Sequence, residues 1–259
     1  MINNGHGKQP GLDPYQPDNI ALFEAIYGKY LISLGGLPAI DNMFNDIEIT
    51  GLKALDLGFG VGGVAFYLAE KYRMNIAGIE VQPWMVKYAK EHAPKKVAEM
   101  LKFDNYNENG ELPYQPESFD LVYSKGVLNH VLDKNNLFRQ IHDVLKPGGL
   151  LIIADWIFPD TISDNIAPLV SETKKSYTQV LTENGFVEIE FRDDSNLFLC
   201  YAKEFLINLR KNQKLIEHKY DHDLFSTIWN QHEELIEKIT HHDKYATRIV
   251  AKKSNQPDK

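Results

Sequence analysis

Apolar positions along the chain follow two alternating periods, and the alternation predicts the elements. Ile20, Phe23, Ile26 and Tyr27 recur at helical spacing after Asp18, a plausible N-cap, and the run 37–47 after Gly35 and Gly36 has the same period. Residues 53–57 (Lys-Ala-Leu-Asp-Leu) predict a short strand ending in glycines. A helical pattern over 64–72 and a second strand over 75–81 follow it, which is a βαβ unit. The pattern continues with a helix over 84–92, strands near 99–103 and 119–123, a helix over 135–145 and a strand over 150–154. Strands alternating with helices predict a doubly wound, mostly parallel α/β sheet covered on both faces. Beyond Pro159 the pattern predicts a helix around 169–182, a strand over 186–191, a long polar helical stretch to about Ile239 and a strand over 245–251. Within that stretch Phe205, Leu206, Leu209, Leu224, Phe225, Ile228 and Trp229 form stripes that should face a core.

The 259 residues suffice for one α/β domain, spanning 18–252 with a helical cap over about 196–240. The Gly-, Pro- and Asn-rich stretch 1–17 reads as a flexible arm, and 253–259 as a disordered tail. With 28 basic against 36 acidic residues the net charge is −8, and no basic stripe is present. Nucleic acid is therefore an unsuitable partner, since its phosphates need clustered cations. No apolar stretch approaches a membrane span, the start lacks the marks of a secretion signal, and Cys200 has no second cysteine to pair with. These features point to a cytoplasmic protein, with Cys200 expected as a small buried hydrophobe.

Residues 58–63 satisfy G-x-G-x-x-G, so a dinucleotide site is one reading, with Glu80 standing where a ribose partner would be. Asp56 bears on the choice. A carboxylate two residues before Gly58 would repel a pyrophosphate, whereas S-adenosylmethionine has no phosphate and brings an α-ammonium and a sulfonium. Gly58 and Gly60 would let the backbone approach the cofactor, and Glu80 offers two acceptor oxygens to the ribose diol. Asp104 and Asn105 follow the third strand, where the adenine amino group would lie, with Val81 beside Glu80.

Phe119-Asp120-Leu121-Val122-Tyr123-Ser124, followed by Leu145-Lys146-Pro147-Gly148-Gly149-Leu150, resembles the fourth strand and the turn before the fifth in class I methyltransferases, which are Rossmann-like and seven-stranded. Within that superfamily, residues 27–36 (Tyr-Gly-Lys-Tyr-Leu-Ile-Ser-Leu-Gly-Gly), the Asp56 loop and residues 123–130 (Tyr-Ser-Lys-Gly-Val-Leu-Asn-His) resemble phosphoethanolamine N-methyltransferases. The resemblance implies catalytic roles for His130 and for Tyr15 on the arm. It also places Ile32 and Ser33 at the cofactor's methionine end, and Lys125 at a cofactor contact where the family tends to have arginine. The chemistry of methylating an ammonium agrees, because a base near neutral pKa must first free a lone pair.

The family gathers tyrosines and an arginine around the substrate phosphate between the fifth and sixth strands. Residues 157–185 hold only Tyr177, Lys174 and Lys175. A small-molecule amine is the expected acceptor, phosphorylated or not, with oxygen or carbon acceptors and a nicotinamide-dependent oxidoreductase as alternatives. The pairs His218/His222 and His241/His242 lack a third ligand, so no metal is expected.

Overall fold

The computed structural model describes residues 16–107, 110–160, 172–219 and 222–255. Tyr15, most of the arm and the last residues of the tail lie outside that range. Seven strands form one sheet: β1 (Lys53–Leu57), β2 (Asn75–Glu80), β3 (Leu101–Asn105), β4 (Phe119–Lys125), β5 (Leu145–Ile157), β6 (Phe186–Asp193) and β7 (Tyr245–Lys253). Their spatial order is β3-β2-β1-β4-β5-β7-β6. The strands from β3 to β5 pair in parallel, while β7 runs antiparallel between β5 and β6. The chain reverses its direction of winding between β1 and β4, and the crevice beyond their carboxyl ends is where open α/β sheets bind ligands.

Side chains alternate across the strands and so divide the core into two layers. Ala54, Ile76, Phe103, Leu121 and Tyr123 face the side covered by α2 (Gly36–Phe44), α3 (Gly63–Tyr72) and α4 (Pro83–His92). Leu55, Leu57, Ile79, Val122, Leu151 and Ile153 face α5 (Lys134–Val144) and α6 (Lys174–Glu183). A third cluster joins α1 (Ile20–Tyr27) to α7 (Ser195–Lys211), α8 (Gln213–Lys219) and α9 (His222–Thr240) through Leu22, Phe205, Leu209, Phe225 and Ile228. The apolar stripes read from sequence at 205–209 and 224–228 are these buried faces.

Several boundaries differ from expectation for tertiary reasons. Pro17–Asn19 forms a 3-10 turn, so Asn19 rather than Asp18 precedes α1. A second such turn, Ala98–Met100, displaces β3 toward the carboxyl end, and pairing with β2 carries it on until Asn105 stands beside Glu80. β5 outruns its predicted 150–154 because β7 pairs with it from Leu150 to Ile157. Cys200 is exposed, contrary to expectation. It lies on α7 opposite the stripe of Ala202, Phe205, Leu206 and Leu209, so the helix turns it outward. No helix among the described residues is long and apolar enough to cross a membrane.

Candidate active site

The glycine loop leaves β1 at the carboxyl edge of the sheet, where the Gly58 N–H donates to the carbonyl of Ile79 at 2.9 Å. Two glycines there permit contacts that no larger residue would allow. A Cβ on Gly58 would lie 2.6 Å from Val127 Cγ2, and one on Gly63 would overlap the Tyr30 carbonyl oxygen. Ile32 Cδ1 lies 3.0 Å from where a Cβ on Gly60 would stand. The Lys125 ammonium donates to Ser33 Oγ at 2.6 Å and to the Leu34 carbonyl at 3.3 Å. Three segments far apart in sequence, 30–34, 58–63 and 125–127, thus meet at one sheet edge.

At the end of β2 the Glu80 carboxylate is 8% exposed and accepts the N–H groups of Gly60 at 3.0 Å and Gln82 at 3.1 Å. Burial raises its pKa, opposed by those N–H donors. Asn105 donates to the Glu80 main-chain carbonyl at 2.8 Å, and Asp104 pairs with Lys102 at 3.0 Å. Val81 presents an exposed apolar side chain next to Glu80.

Asp56 is placed differently from the sequence reading. Its carboxylate, 3% exposed, points into the sheet face and accepts the Tyr123 hydroxyl at 2.9 Å. Tyr123 is itself buried, with Phe44 of α2 packed edge-on against its ring. Burial pushes the Asp56 pKa up from 3.8 to about 7, and the nearby Glu80 charge adds to the rise.

His130 closes the 3-10 turn Leu128–His130 just beyond β4. Its N–H donates to the Val127 carbonyl at 2.9 Å, and it does not cap α5, whose N-cap is Asp133. The side chain is exposed, and its pKa is lowered first by partial burial and then by the charge of Lys134. The turn is fastened to the end of β5: Asn129 N–H donates to Asp155 Oδ2 at 3.2 Å and Asn129 Nδ2 to the Trp156 carbonyl at 3.1 Å.

Lys125, pushed down to a pKa of about 8 by burial, borders a cavity of about 70 Å3 with Ser33, Gly126, Asp155, Trp156 and Phe198. A Cβ on Gly126 would meet no atom within 4 Å, so the space beside Lys125 is open. Sequence reasoning missed Asp155, Trp156 and Phe198. Asp155 carried a weak signal, a carboxylate at the end of an otherwise apolar strand, whereas Phe198 comes from the distant α7. Tyr177 is fully buried against Phe138, with no hydrogen-bond partner for its hydroxyl among the described residues, and Lys174 lies over the ring of Phe191. Among the described residues no three His, Cys, Asp or Glu side chains cluster as a metal site; the side chain of His222 lies outside them.

Residues 49–256 match the model of a family described as methyltransferase domain. Phosphoethanolamine N-methyltransferase 3 of Arabidopsis thaliana is 30% identical over 82% of this chain and 45% of its own length. The phosphoethanolamine N-methyltransferase of Plasmodium falciparum is 29% identical over 81% of this chain and 77% of its own. The chain thus spans less than half of the plant relative. Among solved structures, Haemonchus contortus phosphoethanolamine N-methyltransferase 2 in complex with S-adenosyl-L-methionine superposes with a TM-score of 0.84 at 22% identity. That match covers 95% of this chain and 59% of the other and speaks for the fold.

Proposed function

The chain belongs to the methyltransferase-domain family, and from that premise we propose that it transfers a methyl group from S-adenosylmethionine to the nitrogen of a small amine. Bound there, the cofactor supplies an electrophilic methyl carbon on a sulfonium. The observation that carries the reading is Glu80, a buried carboxylate at the carboxyl end of β2 whose named partners are backbone N–H groups, leaving lone pairs for a ribose diol. The remaining donor set fits the same ligand. Asp104, Asn105 and Val81 border the adenine side. Gly58 and Gly60 give the backbone its close approach. Ile32, Ser33 and Lys125 stand at the methionine end, where the Lys125 ammonium meets a carboxylate. Asp56, behind the loop, supports Tyr123 and the underside of the site.

His130 acts as the base. Its depressed pKa keeps the imidazole neutral at physiological pH, so it can take the proton from an acceptor ammonium and free the lone pair for in-line attack. For Tyr15, outside the described residues, the proposal is the catalytic role beside His130 that the resemblance implies. The relatives named above are phosphoethanolamine enzymes, and a phosphoethanolamine-like acceptor is the first to assay. Thermal denaturation with S-adenosylmethionine or S-adenosylhomocysteine should raise Tm by several degrees at saturating ligand, as selective binding of about 3 kcal/mol requires. Stabilisation by NAD alone would overturn the reading. Methyl-transfer assays across phosphoethanolamine, ethanolamine and other small amines then test the acceptor, and turnover only on alcohols or carbon acids would refute nitrogen as the target.

A further inference from the structure

The turn that carries His130 is fastened at both ends by buried ionisable groups. At its start Asp155 accepts the Asn129 N–H at 3.2 Å and draws on the Leu128 N–H as well. Strand alternation sends that carboxylate, with Ile153 and Ile157, to the α5 and α6 face, where Leu128 also packs. At the far end the Lys134 ammonium donates to the Val131 carbonyl at 2.8 Å and pairs with Glu172 at 3.0 Å. The Lys134 side chain is 5% exposed and that of Glu172 14%. Glu172 is set in turn by its surroundings. Its second carboxylate oxygen accepts the Ser176 hydroxyl at 2.5 Å, and its carbonyl accepts the Phe158 N–H at 2.8 Å, next to the bridge from Phe158 to Thr173. One ion pair thus ties the turn after β4 to the end of β5 and the start of α6.

A buried ammonium is costly to desolvate, and a pair of this kind often stabilises no more than apolar side chains of the same shape. A methionine would fill the space of Lys134 without that cost. What it would lack is a positive charge beside the base, and Lys134 is the charge that, after partial burial, lowers the His130 pKa. The other ionisable groups described around the turn are occupied differently. Asp133 is exposed and caps α5 through the Asn136 N–H at 3.0 Å, while Asp155 lies beneath the turn. Lys125 and Lys244 act on Asp155 and are engaged with Ser33 and with the ring of Trp156. Tyr177, fully buried on α6, faces the charges of Asp155 and Glu172.

We propose that Lys134 and Glu172 are positioning residues for His130: Lys134 holds the carboxyl end of its turn and sets the charge around the imidazole, and Glu172 fixes that ammonium in place and moderates its charge. This rests on the reading of His130 as the base of a methyl transfer and extends it by naming the groups that act through the base. The two charges of the pair oppose each other at the imidazole. Removing them one at a time should therefore move the His130 titration in opposite directions. A purely structural brace behaves otherwise, because losing either partner would loosen the same turn in the same way.

The test follows the Cε1–H resonance of His130 against pH by NMR in the full chain with isotope-labelled histidine, and needs no acceptor. His130→Gln identifies the signal among the nine histidines. Lys134→Met should raise the titration midpoint by at least ~0.3 pH unit, about twofold in proton affinity, and Glu172→Gln should lower it by at least ~0.2. Lys134→Arg, which keeps the charge, should stay within ~0.1 of wild type. The double variant Lys134→Met with Glu172→Gln leaves no unpaired buried charge and carries the test if a single variant does not fold. Its midpoint should still lie above wild type, because Lys134 has the stronger effect on the imidazole. S-adenosylhomocysteine affinity should stay within about twofold in every variant, since the pair lies on the acceptor side. Midpoint shifts of the same sign in the two single variants, or none in either, would overturn the assignment. Failure of the wild type to bind S-adenosylhomocysteine would instead remove the methyl-transfer reading, with the titration still deciding whether the pair acts on His130.

Discussion

At Asp56 burial decides how a residue behaves. Cut off from water, with the Tyr123 hydroxyl only partly opposing the effect, its carboxyl is pushed up to about 7 against an ordinary 3.8. For a group raised in this way the neutral form is the one folding favours. Its contribution to stability is full below the unfolded value and is lost as pH rises through about 7. Asp56→Asn should therefore be more stable than wild type at about pH 8, by on the order of a few kcal/mol, and nearly equal at about pH 4. Urea denaturation at the two pH values checks this; a larger gain at the acid end would contradict it. His130 works in the opposite sense. Burial and then Lys134 depress its pKa below 6.5, so the acid limb of kcat/KM should fall below the usual histidine value. Replacing His130 with alanine should cost ~10²–10⁴ in kcat and abolish that limb. Turnover within a factor of two of wild type would remove the base assignment.

Among the elements, the decisive contact is between α3 and the segment before α2. Gly63 opens α3, and the Tyr30 carbonyl occupies the space its side chain would need. Tyr30 itself has φ 64, a left-handed conformation that lets the chain turn across the helix start. Its ring packs edge-on against Phe66 of α3, which fixes where Ile32 and Ser33 come down on the glycine loop. Gly63→Ala must push this segment away. We expect a loss of about 1–3 kcal/mol, the usual cost of overpacking, together with weaker S-adenosylhomocysteine binding because Ser33 and Lys125 lose their register. Chemical denaturation and a binding isotherm on the same variant separate the two effects, and unchanged affinity would show that the segment does not shape the site.

On the scale of the whole molecule, the cap of α7 to α9 meets the N-terminal helix at one half-buried histidine. His232 Nδ1 lies 2.8 Å from the Ile228 carbonyl, which can only accept, so Nδ1 carries the proton and Nε2 accepts the Tyr27 hydroxyl at 3.2 Å. Phe205 of α7 stacks on the imidazole at 3.8 Å, which binds three helices through a single ring. Burial lowers the His232 pKa, outweighing the Ile228 carbonyl that raises it. A depressed folded pKa means that the stability held here is present above the unfolded value of 6.5 and is lost as pH falls below it. Amide exchange in α7 and α9 should accordingly accelerate between about pH 7 and pH 5 while β1 to β4 stay protected. Uniform acceleration across the sheet would show that the cap is not the acid-sensitive part.

Periodicity by itself determined the strands β1, β2 and β4, the helices between them and the doubly wound order, because local alternation reports which face of an element is buried. The glycine spacing at 58–63, Glu80 and the run through His130 were likewise legible, since the site uses strand ends that the pattern locates. Side-chain direction was not. Asp56 turned toward Tyr123, Asn105 reached Glu80 only because β3 shifted in register, and Cys200 faced outward on α7. Nor could spacing reveal that Asp155 on β5 and Phe198 on α7 border one cavity, or that Arg192 and Asn42 both donate to Asp194 there. How a carboxylate is partnered depends on the groups brought beside it by long-range packing, and only the tertiary structure sets those distances.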